Sequence, residues 1–571
     1  MGRIDDELVG ALAGELNILP LTARLLVNRG IIEAGAAFGF LTPSLKDLHD
    51  PFLFKDMEKA AQRVCQAVTG REKIAIYGDY DVDGATSAAM LYLFFKEIGV
   101  DVLCYIPDRA LEGYGVNAKA LDYLKAAGAS LVITVDCGSS DYEAIGHGRA
   151  AGLDVIVTDH HEMPPAPPPA LAILNPKQEG CGFPFKGLAG VGVAFNLLMA
   201  ARARLRLKGW FKGEAPLLRK FLDLVAIGTV ADMVPLKDEN RIFVSYGLKE
   251  INGAPRPGLL ALMEAARIKS GETTAETIGF QIAPRLNAAG RLKQAKAAFD
   301  LLVTDDSTVA AMLAVELNAE NARRQRLEEE ILNEALGMIA VDAPERGIVL
   351  SSSAWHPGVI GIVASRLVER FGKPAVMIAV DNGAGKGSAR GTRAFNMLEG
   401  LRSCSALLDR FGGHKAAAGL TVSGDKIERF AQEFVAYCNG ALSDDDLVPD
   451  LHLDAEVQAL ADIDMRVVGE LASLAPFGQA NKEPLLVMSN ARIVQTEVFG
   501  FGGKHLRLKL DHNGSIGDGV GFGLAGLRLV KGEGFSVAFS PFIDSWQGVK
   551  RIKLRVKDVQ VRTVGGRLED G

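Results

Sequence analysis

The sequence lacks the features of a disulfide-stabilised, zinc-stabilised or membrane-spanning protein. Its 571 residues include only six cysteines, which are scattered and form no CxxC pair. This usage suits a reducing compartment and argues against a structural zinc site, so we expect a cytoplasmic protein. No apolar run is long enough to span a bilayer, and the first residues, MGRIDDELVG, are acidic rather than signal-like. We therefore expect no membrane association.

An excess of basic residues is also absent. The formal net charge is −7, from 63 Lys and Arg against 70 Asp and Glu. Global charge therefore does not indicate a nucleic-acid partner, and any basic surface for one must be local. Acids that bind metal ions would also make the formal charge negative, so this balance excludes little.

The chain is too long for one hydrophobic core, and its patterns divide it into several parts. The predicted fold class is α/β multidomain, with two α/β domains, a helical connector and a C-terminal barrel. The predicted segments are an N-terminal helical segment (1–45), an α/β domain with a parallel sheet (46–190), a helical region with a long connector helix (191–340), a second α/β domain (341–442) and a β-barrel (450–565).

The parallel sheet is predicted from short apolar runs that alternate with helical stretches. The runs lie at 73–77, 101–106, 130–135, 154–158 and 171–174. Such alternation is typical of a doubly wound parallel sheet. Further along, residues 310–338 predict one long, charged helix without a breaker. After an acidic junction at 443–450, strand-like runs separated by glycine turns, including 519–525, predict a five-stranded barrel typical of an OB-fold, a nucleic-acid-binding domain.

Polar side chains follow four of the strands in the first sheet, at the point where each strand ends. They are Asp79, Asp81 and Asp83 in GDYDVDG, Asp108, Arg109 and Tyr114 in PDRALEGYG, Asp136 in DCGSSD, and Asp159, His160 and His161 in TDHHEMP. Open parallel sheets bind ligands at this edge. Taken singly, each Asp is more typical of a turn or a helix cap, and each His of an ordinary core or surface residue.

Taken together, these side chains indicate a metal site. Several carboxylates at one sheet edge repel each other strongly unless cations neutralise them. Mixed Asp and His ligands with open positions suit two Mn²⁺ or Mg²⁺ ions of a phosphoesterase. Asp232, in VADMVPL, follows another apolar run and is a further candidate ligand.

Two glycine-rich stretches of the second α/β domain indicate an anion site. They are GKGSARGTR (385–393) and FGGHKAAAGL (411–420), and neither is a Walker A loop. We expect Gly412-Gly413-His414 to lie at a helix start, where backbone N–H groups and the helix dipole bind an anion. Ser388 and Arg390 would complete a phosphate pocket. The alternative is an ordinary glycine-rich turn.

Two further basic patterns are open to two interpretations. PRLNAAGRL places Arg285 and Arg291 on a helix, either as phosphate contacts or as a solvated helix end. In the barrel, basic residues alternate with apolar ones at Lys504, Arg507, Lys509, Lys550, Arg551, Lys553 and Arg555. This alternation fits a face that tracks a single strand, and it is also what any half-exposed sheet shows.

The ordered motifs GDYDVDG, PDRALEGYG, VDCGSSD, TDHHEMP, VADMVPL, SAR and GGHKAAAG resemble the DHH phosphoesterase family, from about residue 45 to the barrel. Within that family the chain is similar to single-strand-specific 5′→3′ DNA exonucleases. The resemblance implies a DHH catalytic domain, a DHH-associated second domain, two Mn²⁺ or Mg²⁺ ions and release of 5′-phosphorylated nucleotides in DNA recombination and repair. The partners it implies are single-stranded DNA, a single-strand-binding protein and a helicase.

The resemblance also assigns roles to individual positions. The implied metal ligands are Asp79, Asp81, Asp83, Asp136, His160 and Asp232, with Asp136 bridging. The implied catalytic residues are Asp81, Asp136, His160 and His161, and Asp159 is implied to position phosphate or orient the ligands. The implied substrate contacts are Arg109, Tyr114, Asn117, Arg285, Arg291, Ser388, Arg390, Gly412, Gly413 and His414. Two positions depart from the family: Tyr77 stands where some members have a histidine ligand, and Gly391 where a second serine is frequent.

Two other functions stay open at this stage. Another DHH phosphoesterase, such as an oligoribonuclease or a cyclic-dinucleotide phosphodiesterase, would share the metal cluster but lack the barrel and the long connector. A replication scaffold that has lost catalysis would lack ligand acids, whereas every acid position is filled here.

Overall fold

The structure is a computed structural model that describes residues 6–108, 112–292, 296–339, 344–448, 450–527, 529, 531, 533–546 and 548–561. Three short helices begin this chain: α1 (Asp6–Leu16), α2 (Pro20–Asn28) and α3 (Ala34–Leu41). Proline at the first position of α2 fixes a helical φ where no backbone donor is needed.

The first α/β domain is built on a five-stranded parallel sheet with the strand order β2-β1-β3-β4-β5. Its elements are α4 (Met57–Thr69), β1 (Lys73–Gly78), α5 (Val82–Glu97), β2 (Val102–Tyr105), α6 (Ala118–Ala126), β3 (Ala129–Val135), α7 (Tyr142–Ala150), β4 (Asp154–Thr158) and β5 (Ala172–Leu174). Helices α4 and α5 cover one face, and α6 and α7 cover the other. The predicted doubly wound sheet is confirmed, and its strands all end at one edge.

A helical region follows. Its elements are α8 (Gly190–Leu207), α9 (Leu222–Ala231), α10 (Asp238–Gly253), α11 (Pro257–Ala265), α12 (Ala275–Thr277), a π-helical turn (Ile278–Ile282), α13 (Ala283–Leu292), α14 (Lys296–Val303) and α15 (Ser307–Met338). Helix α15 has 32 residues, so it is about 48 Å long. The long connector helix is therefore confirmed, and Asp306 caps it by accepting from two backbone N–H groups.

The second α/β domain has a mixed sheet with the order β6-β7-β8-β10-β9. Its elements are β6 (Ile348–Ser352), α16 (Ile360–Phe371), β7 (Ala375–Asp381), β8 (Ala384–Arg390), α17 (Met397–Ser403), β9 (Arg410–Gly413), β10 (Ala417–Ser423) and α18 (Ile427–Ala441). Only β6 and β7 run parallel; the other described pairs are antiparallel.

One prediction for this domain is wrong. Gly412 and Gly413 end strand β9 and His414 enters the turn to β10, so the Gly-Gly-His stretch opens a hairpin and not a helix. Gly413 has φ +146, and a Cβ there would lie 2.5 Å from Ala417 O. Glycine is therefore required by the close approach of two strands, and no helix dipole stands behind it.

The C-terminal domain is a closed barrel, as predicted. Its elements are β11 (Ala455–Glu456), α19 (Met465–Ser473), β12 (Leu486–Phe499), β13 (His505–His512), β14 (Ser515–Gly521), β15 (Gly534–Trp546) and β16 (Val549–Val561). The order β12-β13-β14-β16-β15 closes because β12 also pairs with β15, which is the architecture of an OB-fold. The predicted strand at 519–525 is only partly right: β14 ends at Gly521, and the chain turns at Gly523, where φ is +77.

The N-terminal helices pack on this barrel, although it lies at the other end of the sequence, and they share its apolar core. Val9, Leu12, Leu25 and Leu26 are buried there with residues of α19 and β12. Among the described residues, no single helix is long and apolar enough to cross a membrane; α1 and α2 pass that test only as a pair bent by 117°. Their burial against the barrel accounts for their apolar character.

Candidate metal centre and substrate cleft

Seven acidic and histidine side chains converge at the carboxyl edge of the first sheet. They form three groups within which the candidate ligand atoms all lie within 4.8 Å of one another. The groups are Asp79, Asp81 and Asp136; Asp83, His160 and Asp232; and Asp136, His160 and His161. Asp136 and His160 each belong to two groups, so the structure brings all six sequence-predicted ligands into one place.

The start of α5 supplies two of these carboxylates through local helix geometry. Asp81 is the N-cap of α5, and its Oδ1 accepts from Gly84 N at 3.1 Å. Asp83 lies in the first turn of the helix and is fully buried. Its carboxylate accepts from Gly190 N at 2.6 Å and from Val191 N at 2.9 Å, at the start of α8. Two helix N-termini therefore hold the charge of adjacent carboxylates.

Asp136 occupies the centre of the cluster in a strained backbone conformation. Its φ is +61, a left-handed value that non-glycine residues adopt rarely and often at functional sites. Asp136 Oδ1 lies 3.2 Å from His160 Nε2, which is 3.4 Å from Asp232 Oδ2. A Cβ at Gly190 would lie 2.7 Å from Asp136 Oδ1, so only glycine leaves room for this carboxylate.

The cluster fits bound cations because its buried atoms lack other partners. Within the part of the chain that the structure describes, Asp136 Oδ1, His160 Nε2 and Asp232 Oδ2 are buried and make no hydrogen bond. Buried polar atoms are almost always hydrogen-bonded or bound to an ion. Three such atoms facing one another are therefore what a divalent-cation site requires.

The electrostatics of the carboxylates lead to the same conclusion. Burial, followed by the neighbouring carboxylates, raises the pKa of Asp83 and of Asp136 well above the ordinary value. Burial and the charge of Asp81 raise the pKa of Asp232 to about 7. The acids of this cluster repel each other, so they ionise together only when cations replace their protons.

The two adjacent histidines have opposite charge preferences. Burial and the charge of His161 lower the pKa of His160 to about 4, which leaves a neutral imidazole suited to metal ligation. Burial opposes the charge of His161, but the 2.8 Å hydrogen bond to Asp159 and the charges of Asp159, Asp232 and Asp81 together outweigh it and raise the pKa to about 9. Burial likewise opposes ionisation of Asp159, yet His161 holds its pKa below the ordinary value. The DHH sequence thus places one neutral and one charged ring side by side.

Tyr114 and Asn117 lie on the loop beside the histidines. Tyr114 is about half exposed, and its hydroxyl is 3.2 Å from His161 Nδ1. Asn117 caps α6 by accepting from Ala120 N at 2.8 Å, and its amide donates to Glu112 Oε2 at 2.9 Å. Its predicted contact with the substrate stays a prediction, since the fold already uses both ends of this amide.

Tyr77 faces away from the cluster. Its buried hydroxyl donates to Gly115 O at 2.9 Å, which ties down the loop that carries Tyr114. Burial raises its pKa above the ordinary value. Since Tyr77 is turned into the opposite core, it is a support for the loop at the position where some DHH proteins have a histidine.

Of the predicted substrate contacts Arg109, Arg285 and Arg291, the structure describes the side chain of one, Arg285. Arg285 lies on α13, donating to Asn318 Oδ1 at 2.9 Å and to Gln281 O at 2.7 Å. The same helix carries Asn287, whose Oδ1 accepts from Val82 N at 3.2 Å and so connects α13 to the metal cluster. Arg109 and the side chain of Arg291 lie outside the described residues.

A cavity of about 1100 Å³ separates the helical region from the second α/β domain. Ser388, Arg390, Gly412 and Gly413 line it, whereas exposed His414 is not among its lining residues. Arg390 donates to Ser388 Oγ at 3.0 Å, and burial lowers its pKa. No carboxylate pairs with Arg390 in the described chain, so this guanidinium is available to an anion.

Sequence reasoning missed two residues of this cavity. His356 and Gly358 line it just before α16. The Nδ1 of His356 accepts from Gly358 N at 3.1 Å, which leaves the hydrogen of a neutral ring on Nε2. The His-Pro-Gly sequence before a predicted helix was the available signal.

Comparisons with known proteins agree with this architecture. The family model "DHH family, N-terminal domain" matches residues 73–229, the DHHA1 domain matches 345–440, and the RecJ OB domain matches 453–558. The first match extends past residue 190, where the sequence patterns placed a domain boundary.

Relatives and solved structures match most of the chain. The single-stranded-DNA-specific exonuclease RecJ of Bacillus subtilis is 40% identical over 98% of this chain and 70% of its own length. The Escherichia coli exonuclease of the same name is 38% identical over 88% of this chain and 89% of its own. The structure of RecJ with Mn²⁺ from Thermus thermophilus has a TM-score of 0.84 at 31% identity, covering 99% of this chain and 79% of that one. The Mg²⁺ complex of that protein has a TM-score of 0.79 at 30% identity, covering 99% and 78%.

Proposed function

Because this chain belongs to the RecJ family of DHH proteins, we propose that it is a metal-dependent exonuclease that degrades single-stranded DNA from the 5′ end. It releases 5′-phosphorylated nucleotides and acts in DNA recombination and repair. The observation that carries this proposal is the buried cluster of carboxylates and imidazoles around Asp136, in which three ligand atoms lack hydrogen-bond partners.

The cluster offers two neighbouring cation positions. Asp79, Asp81 and Asp136 would hold one ion, and Asp83, His160 and Asp232 would hold the other, with Asp136 between the two groups. Mn²⁺ or Mg²⁺ bound there supplies Lewis-acid activation of water and neutralises charge on the scissile phosphate. Gly190 N and Val191 N donate to Asp83 and so orient its carboxylate for this purpose.

The protein's own groups bind and orient the phosphate. His161, charged through its hydrogen bond to Asp159, donates to a phosphate oxygen beside the cations. Tyr114, in contact with His161, holds the nucleotide next to the scissile bond together with Asn117 and Arg109. On α13, Arg285 and Arg291 contact the phosphates of the following nucleotides.

The 5′ end enters the cavity of the second α/β domain. Ser388 and Arg390, with the backbone of Gly412 and Gly413, receive its phosphate, and His414 stands at the rim. Arg390 carries this role because it lines the cavity, is partly buried and has no acidic partner among the described residues. Binding of the end sets the register, so a short product leaves in each cycle.

Two alternatives are less well supported. An oligoribonuclease or cyclic-dinucleotide phosphodiesterase is expected to lack a C-terminal barrel. This chain has a closed barrel that matches the RecJ OB domain. A catalytically inactive scaffold would have lost ligand acids, whereas all the acids of this cluster are present and converge. Cleavage of long single strands in preference to di- and trinucleotides separates these alternatives from the proposal.

The setting of the reaction is part of the same proposal. Single-stranded DNA in the cytoplasm is the substrate, a helicase supplies it and a single-strand-binding protein keeps it open. The basic residues on β13 and β16 of the barrel, such as Arg507 and Lys553, contact the strand away from the metal cluster.

The test is a polarity assay combined with one substitution. With Mn²⁺ or Mg²⁺ present, the protein should degrade a 3′-blocked single strand and spare a 5′-blocked one. Asp136→Asn should lower the cleavage rate by at least ~100-fold while single-strand binding persists, because the central ligand is lost without a change in volume. Full cleavage by this variant, or digestion from the 3′ end, would contradict the proposal.

A further inference from the structure

Two large apolar side chains stand in solvent at the rim of the metal cluster. Met233 is 74% exposed and directly follows Asp232, and Phe280 is 79% exposed in the π-helical turn. Scattered exposed apolar residues are normal on protein surfaces. These two are different because the segments that carry them meet at Val230, two residues before the candidate ligand Asp232.

The backbone segments of both residues lie beside Val230, at the end of α9. Met233 N donates to Val230 O at 3.2 Å. On the other side, a Cβ at Gly279 would lie 3.6 Å from Val230 Cγ1, so the π-helical turn rests against this residue. Ile278 and Ile282 of the turn are completely buried, and Phe280 between them points the opposite way.

The backbone at both residues departs from regular helix geometry. Met233 has φ +58, in the left-handed region, which is unfavourable for a non-glycine residue. Phe280 lies in a π-helical turn, a rare element that is frequently found at functional sites.

The location of the pair is between the metal cluster and the barrel. Beyond Met233, Leu236 N donates to Gln479 O at 2.8 Å, on the segment that leads into the barrel. On the segment that carries Phe280, Glu276 precedes the π-helical turn. Its Oε2 lies 3.7 Å from Nη1 of Arg555, on β16. Both chain segments thus run from the cluster's rim to a contact with the barrel domain.

We propose that Met233 and Phe280 form an apolar contact surface for the bases of the nucleotides just 3′ of the scissile phosphate. This inference rests on the proposed function and assigns base contacts that the phosphate-binding residues do not provide. An aromatic ring stacks on any base, so the contact is independent of sequence. It needs a base whose face is free, which single strands offer and stacked duplexes do not.

The test compares Phe280→Ala with Leu207→Ala, a matched control. Leu207 is 78% exposed and ends α8, about 27 Å from the Gly190 end that touches the cluster. Phe280→Ala should raise KM for a long single strand on the order of tenfold, the size of one lost base–aromatic contact, with a smaller change in kcat. Leu207→Ala should match the parent protein. Met233→Gly, which also relieves the left-handed backbone, should act like Phe280→Ala.

A strand with abasic tetrahydrofuran sites separates base contact from a structural effect. On that strand the parent protein should itself show the raised KM, and Phe280→Ala should add nothing further. Equal KM values for Phe280→Ala and the parent on ordinary DNA would overturn the base contact. So would a rise in KM that Phe280→Ala causes on the abasic strand by the same factor as on ordinary DNA. Absence of any single-strand cleavage by the parent protein would instead refute the proposed function.

Discussion

Replacement of Arg241 by methionine should loosen the barrel from the catalytic domain. This arginine, on α10, is only 2% exposed, and burial lowers its pKa to about 10. It donates to Phe40 O at 2.9 Å, Ser473 O at 3.3 Å, Leu474 O at 3.0 Å and Ala475 O at 2.7 Å. One charged side chain therefore joins the helical region to the N-terminal helices and to the end of α19.

The expected magnitude follows from the carbonyl groups left behind. Methionine fills much of the volume of the arginine stem, so the main loss is polar. Leu474 O keeps a second donor, Asn481 Nδ2, at 2.9 Å. The other three carbonyls are partly buried, and each loses a charge-assisted hydrogen bond from Arg241 with a net contribution of roughly 1 kcal/mol. The junction should therefore lose about 3 kcal/mol.

Thermal unfolding and limited proteolysis of the full chain measure this effect. Arg241→Met should unfold at lower temperature and expose the barrel linker to protease first, while the metal cluster still cleaves short oligonucleotides. Arg429→Met is the control, because Arg429 is a largely exposed residue with one ion pair, to Glu433. If both variants unfold like the parent protein, Arg241 does not hold the domains together and the reasoning fails.

Three further outcomes are expected. Gly190→Ala should weaken Mn²⁺ binding, because the new methyl group would lie 2.7 Å from Asp136 Oδ1. Gly10→Ala is the control and should leave Mn²⁺ binding unchanged, because no atom lies within 4 Å of a Cβ there. Equal Mn²⁺ affinities of the two variants would contradict the crowding of Asp136. Glu239→Gln should stabilise the protein above pH 7. Burial raises the pKa of Glu239 from 4.5 to about 7, so the parent protein loses folding stability as pH rises through that window. The loss is up to about 3 kcal/mol, and the variant, which has no carboxylate to ionise, avoids it. Chemical unfolding at pH 5 and pH 8 checks this, and an equal difference at both pH values would refute it. Arg390→Met should abolish the preference for a 5′-phosphate over a 5′-hydroxyl end, measured by competition between the two substrates. A preference that the variant retains would contradict the role of Arg390.

The place of the metal cluster followed from the sequence because parallel strands end at one edge. Asp81, Asp136 and His160 come directly after three strands, and periodicity located those strands well. The finer geometry did not follow. Nothing local indicates that Asp136 adopts a left-handed φ, or that backbone N–H groups at the start of α8 bind Asp83 from more than a hundred residues away.

Errors arose where local chemistry allowed two structures. Glycine pairs favour helix starts, turns and close strand approach alike, so Gly412-Gly413 was assigned to a helix although it ends a strand. Long-range packing was also beyond prediction. The first helices bury Leu25 and Leu26 against a barrel that begins more than 400 residues later, and no pattern within α2 names its partner.

Cation stoichiometry tests the central claim most directly. Equilibrium dialysis of the full chain against Mn²⁺ at neutral pH should give two bound ions per chain, and Asp136→Asn should reduce this number because Asp136 stands between both positions. Proton release should accompany binding, since the carboxylates of the ion-free cluster retain protons. No bound Mn²⁺, or two ions that remain bound in the Asp136→Asn variant, would contradict the account.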